Sequence, residues 1–478
     1  MSAIRTARPA ILSKQFYSRK NLTSDNAILV YIALAGVVAH LLVSNNYGYF
    51  RDELYYMADG RHLSWGYVDQ APLIGWLAAL IHVALGDSLV AIHILPALAS
   101  GAVVVVSGLI ARELGGGRLA QMLAASATLV APVFMATGSL FSMDVLDQLW
   151  WALGALILIR LVRRDEPRLW LAFGLVAGIG LLNKFTILFF GFSLVVGMLV
   201  TPARRYFRTR WPWLGGLIAF AFLVPDTLWN AAHGWPTWDF WHHYQGLTGG
   251  GPLGFLADQI LNGNPFTLPL TIAGLYFYLR SRDGKPYRAF GWAFVTLVIV
   301  FVVINAKAYF LAPAFPMLFA AGGRQVESLK LRQAWLKPAY VVVLLLSGVL
   351  LAPLAMPVLP PATYATSYAA LTGVGNRGAG QQTAGIFPQY LGDRFGWDTM
   401  TATVAQVYDS LPADQRSHAC IFTVNYGEAG ALELLGTRYH LPPVLSGHNN
   451  YYIWGPGSCD GSVIITVGVS QSDLTEFT

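Results

Sequence analysis

The feature that most constrains this chain is a series of apolar runs, each near the length of about 20 residues that an α-helix needs to cross a bilayer. Eleven such runs occur, at 27–43, 89–110, 119–136, 145–162, 169–182, 185–200, 213–229, 266–279, 289–304, 309–321 and 339–356. In hydrocarbon every backbone N–H and C=O must be satisfied within the segment, and a helix does this. The expected fold class is therefore an all-α polytopic membrane protein of about eleven transmembrane helices. A shorter apolar stretch, 72–85, bounded by Pro and Gly, reads as a helix lying in the interface or re-entering it. Composition agrees. Only 12% of the 478 residues are charged and 55% are hydrophobic, whereas a soluble domain carries about 25% charged residues. A water-soluble enzyme, a disordered scaffold and a nucleic-acid partner are disfavoured, and the net charge of +6 is better placed in cytoplasmic loops.

With the N-terminus (Arg5, Arg8, Lys14, Arg19, Lys20) inside, every inward loop is basic. One holds Arg160, Arg163, Arg164 and Arg168, and the next Arg204, Arg205, Arg208 and Arg210. Before the last run the outward loops hold only Arg51, Arg61, Lys184 and Lys307. This alternation follows the positive-inside rule and supports an uneven number of spans, an N-terminus in the cytoplasm and a C-terminus outside the cell membrane.

Composition changes after Met356. Residues 1–356 form the expected membrane domain, and 357–478 a small extracytoplasmic α/β domain that begins with Pro357, Pro360 and Pro361. Helices are expected at 397–411 and 428–435 and short buried strands at 420–425 and 462–467. The chain stops soon after its last strand, which suggests that this domain is incomplete. Cys420 and Cys459 each start a strand, and an oxidising compartment permits a disulfide; two buried free thiols are the alternative.

The first outward loop carries Arg51-Asp52-Glu53 and then Asp69-Gln70-Ala71-Pro72 among aromatic residues. On a helix beginning near Phe50, Asp52 and Glu53 point about 100° apart. One can face a cavity while the other caps the helix or holds a partner. In the second outward loop, Asp144 is expected to N-cap a span, with Asp147 a turn deeper, facing protein or water because acids in a membrane are costly. Lys184 and Lys307 stand at bilayer-edge depth. Either snorkels to the headgroups or meets an anionic phosphate, the second role being favoured for Lys307 because Tyr309 and Pro313 follow it. His242 and His243 are candidates for a divalent metal, although adjacent histidines lack the i, i+4 spacing of helical ligands. No motif calls for another cofactor.

The segments FRDELYY, GYVDQAPLIGWLAAL, SMDVLDQLWWALG and KAYFLAPAFPML resemble bacterial membrane glycosyltransferases of the protein O-mannosyltransferase type. These are relatives of the lipid A aminoarabinose transferases within the GT-C superfamily. The resemblance implies sugar transfer from a polyprenyl-phosphate donor to a lipid, glycan or protein acceptor on the outer face of the cytoplasmic membrane. It places Asp52 at the family's essential first-loop aspartate, Glu53 beside it and Asp144 at the second-loop acid. Lys307, Tyr309 and Pro313 match the late segment near the lipid phosphate. The aminoarabinose transferases carry acid-Lys-Pro where this chain has Asp69-Gln70-Ala71-Pro72, so phosphate contact falls to Lys307 or Arg51, while Asp69, Gln70 and Lys184 become cavity or acceptor candidates. Asp52 then serves as general base for an inverting displacement. A transporter of lipid-linked sugars is the rival expectation, although it should show paired repeats with broken spans in both halves.

Overall fold

The computed structural model describes residues 24–243, 251–369, 383–384 and 386–470. The basic N-terminal cluster, Tyr244, Arg377 and the chain after Ser470 lie outside them. Each of the eleven apolar runs is helical. Six helices are long and apolar enough to cross a membrane: Asp25–Val43, Leu89–Glu113, Met143–Arg164, Trp211–Ala232, Lys285–Val303 and Leu336–Ala355. At 1.5 Å per residue, a 22-residue helix spans about 33 Å, slightly more than a hydrocarbon core of about 30 Å.

The remaining runs are bent or short, and proline accounts for much of this. The third run bends by 63° between Arg118–Val130 and Pro132–Gly138, where Pro132 cannot donate to the preceding turn. Ile187–Leu199 is followed at 109° by the turn Pro202–Arg208. Counting each bent pair as one crossing brings the total to eight. Leu169–Asn183 and Pro265–Leu279 are apolar but shorter. The run at 309–321 divides into a 3₁₀ turn, Ala308–Ala314, which contains Pro313, and the helix Phe315–Ser328. Length and composition thus support six to eight crossings among the described residues, fewer than the eleven expected. Leu73–Leu85 is a separate short helix.

Beyond the last long helix the chain forms a two-residue hairpin, β1 (Thr383–Ala384) with β2 (Phe387–Pro388), and then a helix, Trp397–Ser410. Three parallel strands follow: β3 (Ala419–Thr423), β4 (Val444–Ser446) and β5 (Val463–Val467), in the order β4-β3-β5. Ile421 stands opposite both Val444 and Ile465. Val404, Ile421, Leu432 and Ile465 make a small core between sheet and helices. A disulfide joins Cys420 to Cys459.

This segment does not stand apart. Its helix Tyr426–Leu435 lies across the first-loop helix, Arg51–Arg61. Gly430 makes the approach possible, since a Cβ there would sit 2.8 Å from the Leu54 carbonyl carbon and oxygen. Tyr55, Tyr56, Ile74, Ile92, Phe141, Ala429 and Tyr451 then share one core. The chain after β3 reaches the first-loop helix at Asp52, and the chain after β4 reaches it at Tyr55 and Asp59. In a parallel sheet the carboxyl ends of the strands are where ligand sites form.

Candidate active site

The first-loop helix begins after Phe50 and carries Glu53 at its third position, where the carboxylate reaches back to accept the Phe50 N–H at 2.8 Å. Glu53 is fully buried. It also accepts from the Phe141 N–H at 2.7 Å and from His93 Nε2 at 2.9 Å. Burial pushes this carboxyl upward, but His93 and the more distant Arg394 outweigh burial and leave it below its ordinary value. Of the adjacent pair, Glu53 is thus the acid that braces. It ties the first loop to the second and to the span Leu89–Glu113.

Asp52 points the other way. Its side chain is 30% exposed, and Oδ1 accepts from the Tyr426 hydroxyl at 2.7 Å. Arg51 lies 3.5 Å from the same oxygen and 3.4 Å from Asp393 Oδ2, with its guanidinium 5.3 Å from the Tyr426 ring. The Arg51 charge is therefore shared by two carboxylates, which sets it apart from the phosphate contact expected of it.

The second half of the loop divides in the same fashion. Asp69 accepts from Tyr55 Oη at 2.8 Å and from Asn449 Nδ2 at 2.9 Å. Burial, with the Asp52 charge adding to it and the Tyr55 hydrogen bond opposing, pushes Asp69 up to about 7. Gln70 departs from expectation, for it is only 2% exposed and bonded to a buried acid. The reason is Asp59, a fully buried acid that draws donors from Gln70 Nε2 and, at 2.7 Å, from Asn450 Nδ2. Burial, and then Asp69, hold the Asp59 carboxyl well above its ordinary value.

Across the site the second loop meets the cations. Ser142, and not Asp144, caps the helix Met143–Arg164, accepting the Asp144 N–H at 3.3 Å. This leaves the Asp144 carboxylate to pair with Lys184. The Lys184 ammonium lies 4.7 Å from the Phe310 ring centre and 5.2 Å from that of Tyr309, and the Lys307 ammonium lies 5.9 Å from the same Tyr309 ring. Two lysines thus converge on one tyrosine. Asp147 faces protein, accepting from Trp151 at 3.0 Å and Thr186 at 2.7 Å. The phenol of buried Tyr56 is pushed well above its ordinary value by burial and then by Asp52, Asp144 and Asp69.

His242 and His243 are not brought to this place. They end an exposed helix, Pro236–His243, where the His242 ring lies 4.5 Å from that of Trp238 and His243 Nδ1 donates to the Asp239 carbonyl at 2.9 Å. Among the described residues no three His, Cys, Asp or Glu side chains gather as a metal ion would need. Tyr426, Asn449, Asn450, His93 and Asp59 were not singled out from the sequence. The signal available for the first three was a polar cluster directly after a strand, which in a parallel sheet marks the ligand-facing end.

A family model described as dolichyl-phosphate-mannose-protein mannosyltransferase matches residues 69–229, a stretch that includes Asp69, Asp144 and Lys184. The lipid A galacturonosyltransferase RgtD of Rhizobium johnstonii is 25% identical over 272 residues, covering 55% of this chain and 56% of that protein. The chain thus matches about half the length of this curated relative. Among solved structures, ArnT from Cupriavidus metallidurans bound to undecaprenyl phosphate superposes with a TM-score of 0.61 at 17% identity, covering 94% of this chain and 90% of that one. Its apo form gives 0.61 at 16% identity, with 95% and 91% covered. At such identities the structural likeness is one of fold. Motifs, family model, curated relative and fold converge on one likeness, to bacterial GT-C glycosyltransferases of the PMT/ArnT type.

Proposed function

We propose that this protein transfers a sugar from a polyprenyl-phosphate donor to an acceptor hydroxyl at the outer face of the cytoplasmic membrane. The observation that carries the reading is an open carboxylate beside a lysine cluster. Asp52 is the open carboxylate of its pair, and Lys184 and Lys307 gather about Tyr309. The undecaprenyl phosphate bound to the structural neighbour ArnT and the lipid A substrate in the relative's name support a lipid-linked donor and a lipid-linked glycan acceptor. A basic inside, an N-terminus in the cytoplasm, eleven crossings and a C-terminal α/β domain outside belong to the same proposal.

The chemistry asks for few groups. Asp52 takes the proton of the acceptor hydroxyl as its oxygen attacks the anomeric carbon. The bond from that carbon to the phosphate oxygen breaks on the opposite side, the electron pair leaves with polyprenyl phosphate, and configuration inverts. The departing phosphate is already an anion and needs cations more than a proton. Lys307 and Lys184 supply them, with Asp144 holding Lys184 in place and Tyr309 lying between the two. The polyprenyl tail stays in hydrocarbon, which explains a site at bilayer-edge depth.

The test is single-turnover transfer from a labelled polyprenyl-phosphate sugar by detergent-purified protein. Asp52→Asn keeps the shape of the side chain but accepts no proton, so turnover should fall by roughly 10² to 10⁴ with donor affinity unchanged. Normal transfer by that variant would overturn the assignment of the base. A wild-type protein that binds the donor without consuming it would point instead to a transporter of lipid-linked sugars.

A further inference from the structure

We propose that Tyr426 is a positioning residue for this reaction, so that the C-terminal segment completes the active site. The inference rests on the reading of Asp52 as general base. Tyr426 is 374 residues from Asp52 in sequence, yet its hydroxyl donates to Asp52 Oδ1 at 2.7 Å. Among the described residues, the Tyr426 bond and the Arg51 contact to Asp52 both fall on Oδ1. Oδ2 is thereby left as the oxygen that takes the acceptor's proton.

The tyrosine is held for this purpose from all sides. Its ring centre lies 4.7 Å from that of Tyr55 and 4.9 Å from that of His448, with the Arg51 guanidinium 5.3 Å away. It is the first residue of its helix. Asn425 caps that helix by accepting the Gly427 N–H at 2.7 Å, and Glu428 reaches back to the Asn425 N–H at 3.2 Å. His448 is fixed through the next two residues. Asn449 adopts φ +53° and ψ −130°, outside the left-handed helical well that asparagine tolerates. Such a backbone persists only where surrounding bonds over-determine it. Here they are Asn449 to Asp69 and Asn450 to Asp59 and to the Val68 N–H. Burial and the Asp52 charge keep the proton on the Tyr426 phenol, so the hydroxyl is the donor and the carboxylate the acceptor.

Tyr426→Phe removes the hydroxyl and keeps the ring with its three neighbours. The expected result is a fall in kcat of roughly 10- to 100-fold, the scale of a misplaced reacting group, with donor KM, melting temperature and folded yield unchanged. In an Asp52→Asn background the same change should cost nothing further, because it acts through the group already removed. A wild-type kcat in Tyr426→Phe would overturn the proposal. So would a full additional loss in the Asp52→Asn background, which means independent action, or loss of folded protein, which means that the hydroxyl supports the fold. If Asp52→Asn alone is active, the base assignment has failed, and this is read separately from the fate of Tyr426.

Discussion

The two walls of the site are built differently. The inner wall, Asp144, Lys184, Tyr309 and Lys307, comes from the ends of neighbouring membrane helices, and the ion pair of Asp144 with Lys184 joins residues 40 apart in sequence. The outer wall, Asp52 with Tyr426 and Asp69 with Asn449, is closed by residues 374 and 380 apart. The contrast teaches that bundle packing alone can assemble the lysine side, whereas the Asp52 side is finished only when the C-terminal segment docks.

The hardest way to break this arrangement is at Glu53, which fastens the first loop to the bundle. Truncating it to Ala leaves His93 Nε2 and the Phe50 and Phe141 N–H groups without their acceptor. Each buried donor left without its acceptor in this manner costs about 1–3 kcal/mol. Glu53→Ala should therefore lose folded protein, as judged by yield and a melting curve in detergent, while Glu53→Gln, which keeps one acceptor oxygen, should lose less. Equal, wild-type stability of the two would mean that the first loop is held some other way.

The inner wall gives the next effect. Lys307→Ala and Lys184→Ala should each raise the donor KM by about 10- to 100-fold, since a charge-assisted hydrogen bond contributes about 1.5–3 kcal/mol. Lys→Arg should restore charge without full affinity. Only Lys184→Ala also leaves Asp144 without its ion-pair partner, so Asp144→Asn should offset part of that loss and none of the loss from Lys307→Ala. A donor KM untouched by both lysine variants would make these residues snorkelling cations.

Legibility in the sequence follows the same division. All eleven apolar runs fold as helices because periodicity does not enter into it: an unbroken apolar run of that length has few other ways to satisfy its backbone. Their number as crossings was not legible, since Pro132, Pro202 and Pro313 bend or break helices without saying whether the chain then turns back. Asp52, Glu53, Asp144, Lys184 and Lys307 stood out as charges in an apolar chain, and the first loop's pair does divide into an open acid and a bracing one. Which oxygen-bearing side chain caps the helix at Met143 was a choice between two good caps, and Ser142 takes it. Tyr426, Asn449 and Asn450 escaped notice because contacts across more than 370 residues leave no periodic trace, and β4 is only three residues long.

A smaller change would loosen the docking of the outer wall without touching its chemistry. In Gly430→Ala the new methyl meets the Leu54 backbone at 2.8 Å, which side-chain motion cannot relieve. Overpacking of this kind costs about 1–3 kcal/mol. Turnover should fall while donor binding at the inner wall persists, measured by titration with polyprenyl phosphate. A matched loss of both would show the walls to be one cooperative unit.

The smallest effect should come from pH, acting on the outer wall. Asp69 has an ordinary value of 3.8 and is pushed up to about 7 in the folded protein, so between those limits the folded state binds a proton that the unfolded state does not. Stability from this group is then fully present below about pH 4 and is lost as pH rises through about 7. Asp59, also raised, works in the same direction, whereas Glu53, which is lowered, works against it. The clean measurement is thus a difference: the melting temperature of Asp69→Asn minus that of the wild type, taken across pH. Near pH 4 the neutral amide and the protonated acid are alike and the difference should be close to zero. By pH 8 the wild type carries a charge beside Asp52 and the variant does not, so the variant should melt higher by at least a few degrees. A difference that stays flat would show that Asp69 is ionised throughout, with Tyr55 and Asn449 compensating its burial. A difference that grows towards low pH would place the proton on the unfolded side and reverse the reading of the outer wall.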